Sequence, residues 1–253
     1  MLQRQQLTSV LAELLQSERI RDYCPNGLQV EGKQQIKRIV TGVTASQALI
    51  DAAIHWQADA VIVHHGYFWK NEAMVVTGMK KKRLQALLAH DINLVAYHLP
   101  LDIHPGLGNN VQLGKLLQAI AVTPLPTAEP LGVVMQGELP TPQSLSQVAD
   151  TLEQVLGRPV LAHDAGSNRP VHKLAWCTGG GQGYIEQAAA AGADVFISGE
   201  VSEQTIHVSR ELDIHFIAAG HHATERYGIK ALGEYLSANY PLQVQFIDID
   251  NPA

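Results

Sequence analysis

Only two cysteines, Cys24 and Cys177, occur in 253 residues, far apart and in no metal-type spacing. Their scarcity excludes a disulfide framework and a cysteine-based zinc site. Positive charge is also short, since 18 Lys and Arg face 24 Asp and Glu for a formal charge of -6. General nucleic-acid binding is therefore not expected, and the run Lys80-Lys81-Lys82-Arg83 reads as a solvated helix start. No apolar run approaches the roughly 18 residues of a membrane span, and Met1 to Gln6 lacks the apolar segment of a signal peptide. The expectation is a cytoplasmic protein with no membrane partner. What the chain does have is an ordinary globular balance, 46% hydrophobic and 17% charged, and an excess of histidine, twelve in all.

Asp59-Ala-Val-Ile-Val-His64-His65-Gly66 organises the rest. A short Val/Ile run after a helical pattern reads as a strand buried on both faces of a parallel sheet, where ligands gather at carboxyl ends. Adjacent strand residues point to opposite faces. His64 and His65 therefore converge only if the strand has ended, or else they serve two neighbouring ions; the alternative is one buried and one exposed histidine.

Helical spacing covers Leu7 to Ser17, with Thr8 or Ser9 as caps, then Ser46 to Trp56, Lys82 to His90 and Asn110 to Ala119. Strands are expected at Ile36 to Val43, Ala60 to Val63 and Ile92 to Tyr97. A proline-rich stretch from Thr123 to Pro130 marks a junction, which gives lobes of residues 1–124 and 125–253, with the C-terminal helix able to pack back on the first. Pro142 to Leu156 reads as a helix capped by Thr141. The second lobe repeats the first: His172 through Ile197 lies over Lys37 through Ile62 without a gap, and Asp213 to Ala218 lies over Asp91 to Ala96. The fold class is α/β, two related lobes, and a cleft between them is the expected place for a metal site.

The strand ends carry the chemistry. They are His64-His65, His98 through Asp102, Gly199-Glu200, and Gly220-His221-His222-Ala-Thr-Glu225. Imidazoles with a few carboxylates suit Zn, Fe, Mn or Ni. His221 and Glu225, four apart, share a face if a helix begins there, and a glutamate can bridge two ions. Thr178-Gly179-Gly180-Gly181-Gln182-Gly183 is either a tight turn or a phosphate-holding turn before a helix.

Val63-His64-His65-Gly66-Tyr67-Phe68-Trp69, Tyr97-His98-Leu99-Pro100-Leu101-Asp102 and Gly220-His221-His222-Ala223-Thr224-Glu225 together resemble the YbgI-type, Nif-three-like family, commonly named GTP cyclohydrolase type 2 homologues. The resemblance implies two divalent metal ions per subunit, with His64 and Asp102 on one, His65 and His221 on the other, and Glu225 between them. It also implies a homohexamer and a hydrolase acting on a nucleotide or other small molecule; a phosphoesterase and a non-catalytic metal-binding scaffold are the alternatives. His98 and Glu200 are the candidate catalytic residues. The chain departs from many relatives in having Gly66, not proline, after the histidine pair.

Overall fold

The computed structural model describes residues 1–166 and 169–253. It is a mixed α/β structure in two compact units, Met1–Leu101 with Gly228–Asp250, and Asp102–Tyr227 with Asn251–Ala253. Sequence reading set the junction at 124/125, whereas the chain changes unit at 101/102. The reason is apolar packing and strand pairing. Leu113 and Leu117 enter the same core as Trp176, and Ile120–Pro124 pairs antiparallel with Met135–Gln143. At the other end, Gln243–Phe246 pairs with Arg38–Thr44, which returns the C-terminal segment to the first unit.

In the first unit a five-stranded sheet runs in the order Gln243–Phe246, Arg38–Thr44, Ala60–His65, Asn93–Ala96, Gly27–Val30. The first four strands are parallel and the last is antiparallel. Val40, Val61, Val63, Leu94 and Ala96 fill one face, while Ile39, Thr41, Ala60, Ile62 and Val95, on the alternate positions, are also fully buried. Burial on both sides is what the unbroken Val/Ile run required.

The second unit holds a six-stranded sheet ordered Ile120–Pro124, Met135–Gln143, Val171–Cys177, Val195–Ser198, His215–Ala218, Leu161–His163. Side chains again alternate between two cores. Leu174, Trp176, Val195, Ile197 and Ile217 face one; Ala175, Cys177, Phe196 and Phe216 face the other.

The repeat extends to register. Ile39 pairs with Ala60 and Leu174 with Val195, both shifted by the 135 residues that separate the sequence copies (174 − 39, 195 − 60). Asp59 accepts hydrogen bonds from the backbone N–H of Lys37 and Arg38, each at 2.9 Å; Asp194 does the same for His172 and Lys173, at 2.9 and 2.7 Å. Asp91 and Asp213, each two residues before the third strand, both have positive φ, 55° and 51°.

Two helix starts differ from expectation. The first helix is Arg4–Leu15, entered through Gln3, whose N–H donates to Gln6 Oε1, so neither Thr8 nor Ser9 caps it. The second lobe's long helix is Leu145–Leu156, capped by Ser144, whose hydroxyl accepts from Gln147 N. Thr141 and Pro142 belong instead to the preceding strand, because a Ser-x-x-Gln pair lies just beyond them and closes a reciprocal cap. Among the described residues no helix is long and apolar enough to cross a membrane.

Candidate metal centre

The strand Ala60–His65 continues through both histidines. The imidazoles therefore leave it on alternate sides yet remain neighbours, with ring centroids 4.5 Å apart. His64 is fully buried, and its Nδ1 is hydrogen-bonded to the carbonyl of Tyr97 at 3.0 Å. His65 Nδ1 lies 3.2 Å from the hydroxyl of Thr44. His98, just beyond the strand Asn93–Ala96, joins them: its ring centroid is 5.1 Å from that of His64 and 5.8 Å from that of His65. One ring nitrogen of each of the three falls within 4.8 Å of the others. This trio lies wholly in the first unit.

Gly66 explains its own departure from proline. A Cβ there would come within 2.2 Å of Gln29 Oε1 and 2.6 Å of Ala96. Gln29 uses that space to accept from Tyr67 N at 2.7 Å, which pins the turn behind the histidine pair.

In the second unit the helix His221–Asn239 begins at His221, so His221 and Glu225 share a face, with Nε2 and Oε2 3.2 Å apart. Glu225 is only 2% exposed and Asp102 only 7%, and carboxylate oxygens of the two lie within 4.8 Å of each other. Two buried anions so close repel unless cations or protons offset them. His221 Nδ1 is held by Glu200 at 2.7 Å. Burial alone would push its pKa down, but Glu225 and Glu200 outweigh burial and raise it to about 9. Glu200 is thus a partner of an imidazole.

Sequence reasoning missed several supports. Asn109 donates to Asp102 Oδ1 at 2.8 Å, and Asn110 accepts from Thr178 N at 2.9 Å. Asp22 carries His98 on its Oδ1 at 2.7 Å. Nothing in their local spelling marks these residues as parts of a site, and the pairs Asn110–Thr178 and Asp22–His98 join residues far apart in sequence. The glycine turn proves to be a seat for the ligand helix. Gly179 has φ +65°, and a Cβ on it would sit 2.1 Å from Glu225 Oε1 and 3.1 Å from His221 Nε2. Its N–H donates to Thr224 Oγ1. The turn leads only into a short 3-10 segment and a helix of six residues, Ile185–Ala190, and the phosphate-holding reading gains no support.

The donor chemistry fits transition-metal ions. All four imidazoles have Nδ1 engaged by a carbonyl, a hydroxyl or a carboxylate, the arrangement in which Nε2 is the coordinating nitrogen. Without a metal both thiols are held protonated: burial, with Asp102 and Glu225 near, pushes Cys177 well above its ordinary range, and burial together with Asp22 raises Cys24 to about 12.

A model of the Duf34/NIF3 (NGG1p interacting factor 3) family matches residues 2–252. The chain is 58% identical over 248 residues to a "GTP cyclohydrolase 1 type 2 homolog" of Yersinia pestis, covering 98% of each chain. A protein of the same name from Escherichia coli K12 is 57% identical, again over 98% of each. Among solved structures, "protein ybgI, unknown function" superposes with a TM-score of 0.96 at 54% identity over the full length of both chains. TTHA1606 from Thermus thermophilus gives 0.90 at 35% identity, also over the full length of both.

Proposed function

Since the chain belongs to the Duf34/NIF3 family, we propose that it is a hydrolase dependent on two divalent transition-metal ions per subunit, acting on a nucleotide or related small molecule. His64, His65, Asp102, His221 and Glu225 hold the ions, with Glu225 shared. The observation that carries this reading is the uniform engagement of Nδ1 on His64, His65 and His221, which turns each Nε2 into the donor. The buried pair Asp102 and Glu225 supplies the negative charge that two dications require. When bound, such a pair of ions acidifies water towards neutrality and neutralises charge developing on a substrate.

The chain's own residues do the rest. Glu200 fixes the orientation of His221. Asn109 holds Asp102 in place through its Oδ1. His98 stands beside His64 and His65 as the group that takes and returns a proton. The relatives' printed name supports a purine nucleotide such as GTP as substrate. The family resemblance supports a cytoplasmic homohexamer, which sedimentation of the purified chain tests directly.

Metal analysis of protein purified without chelator should give about two equivalents per chain, as a two-ion hydrolytic site requires. Hydrolysis assays on nucleotides and phosphoesters, with each metal in turn, then complete the test. Less than one equivalent under metal-replete conditions rejects the site. Full loading without turnover of any substrate leaves a metal-binding protein and rejects the hydrolase.

A further inference from the structure

Asp22 lies in a loop between the short 3-10 turn Ser17–Arg19 and the strand Gly27–Val30, 76 residues from His98 in sequence. Its side chain is 2% exposed. Both of its oxygens are occupied. Oδ1 accepts from His98 Nδ1 at 2.7 Å and from Tyr23 N at 2.6 Å; Oδ2 accepts from Asn26 Nδ2 and from Leu99 N, each at 2.9 Å. Asn26 in turn accepts from His98 N through its Oδ1 at 2.8 Å. That bond fixes which end of the Asn26 amide faces Asp22, so every other neighbour of the carboxylate is a donor. Asp22 is therefore the acceptor towards His98, and the proton of the imidazole sits on Nδ1.

We infer that Asp22 is a positioning residue, which locks His98 as the Nδ1–H tautomer and keeps its basic Nε2 for the site formed with His64 and His65. This rests on the hydrolytic reading above for its purpose, but not for its geometry. Free histidine side chains favour neither a fixed ring angle nor this tautomer, and the carboxylate imposes both. Trp69, edge-on to the His98 ring at 4.9 Å, closes one side of it.

The test is solid-state NMR of metal-free protein labelled with 15N-histidine, with His98 assigned through His98→Asn. The wild type should show His98 protonated on Nδ1 and bare on Nε2. Asp22→Asn should lose that signature. Asn26→Ala, which removes the grip on the His98 backbone but leaves the carboxylate, should keep it and guards against a merely misfolded loop. In the zinc-loaded chain, with bis(4-nitrophenyl) phosphate as reporter, Asp22→Asn should lower kcat about 10–100-fold with KM and zinc content unchanged, the usual scale for losing such an orienting partner. A wild-type His98 protonated on Nε2, an unchanged tautomer in Asp22→Asn, or equal loss in Asn26→Ala overturns the inference. So does a changed tautomer with unchanged kcat. If the reporter is not turned over at all, the hydrolytic reading fails, while the tautomer still decides the role of Asp22.

Discussion

Replacing Gly179 by alanine is a one-carbon perturbation aimed at the ligand helix. Two costs arise. At φ +65° an L residue carries left-handed strain of about 1–2 kcal/mol. The new Cβ would also sit 2.1 Å from Glu225 Oε1 and 3.0 Å from its carboxyl carbon. That carboxylate is buried and cannot swing freely into water, so relieving the overlap costs a further ~1–3 kcal/mol, the usual range for overpacking a filled interior. Gly157→Ala is the matched control: φ is +69°, and nothing lies within 4 Å of its Cβ position. It bears the backbone strain alone. In denaturant titrations without metal, Gly179→Ala should fall below Gly157→Ala by the overlap alone. In calorimetric titrations with zinc, Gly157→Ala should bind like the parent, whereas Gly179→Ala should bind about 10–100-fold more weakly because Glu225 is displaced. Equal stability and equal zinc affinity in the two variants would refute the view that the glycine turn exists to seat Glu225.

The two aspartates that repeat across the units should behave alike. Asp59→Asn and Asp194→Asn each weaken hydrogen bonds to two backbone N–H groups, so each should destabilise by about 1.5–3 kcal/mol at pH 7, as charged acceptors do; chemical denaturation measures it. Burial would raise the Asp59 pKa, but the Arg38 and Lys37 amides and the Lys33 ammonium outweigh it and hold it low. The stabilisation is therefore complete above the ordinary carboxylate pKa of about 3.9 and lost as pH falls through the lowered folded value. The gap between parent and Asp59→Asn should close only in that acid window, and a gap already shrinking at pH 6 contradicts the assignment. For the shared ligand, Glu225→Gln keeps size but removes charge from both ions, whereas His65→Ala should weaken chiefly one. Metal analysis in which Glu225→Gln retains both ions and His65→Ala loses both would move Glu225 out of the ligand set.

Elements built from local pattern were legible in the sequence. The Val/Ile run to His64, the helix beginning near Ser46 and the His221-x-x-x-Glu225 face could all be read because strand and helix patterns are local rules. The repeat was legible for a related reason, since Asp59 and Asp194 tie strand starts in the same way in both copies. What escaped was non-local. Asp22 meets His98 across 76 residues, Asn110 read only as the start of a helix, and the Gly179 turn read as either a tight turn or a phosphate-holding one because its neighbour Glu225 lies 46 residues on (225 − 179). The junction was misplaced for the same reason. Prolines mark where a chain turns, whereas the unit boundary depends on which core Leu113 and Leu117 enter.

The hydrogen bonds on Nδ1 of His64, His65 and His221 also bear on how an ion would be acquired. A side chain already immobilised has no rotational freedom left to surrender on binding, a saving of about 0.5–1.5 kcal/mol for each group. Loading should then proceed without an ordering step. Because imidazoles and carboxylates held in place discriminate little among first-row dications beyond their intrinsic order of affinity, cellular supply governs which metal takes the place.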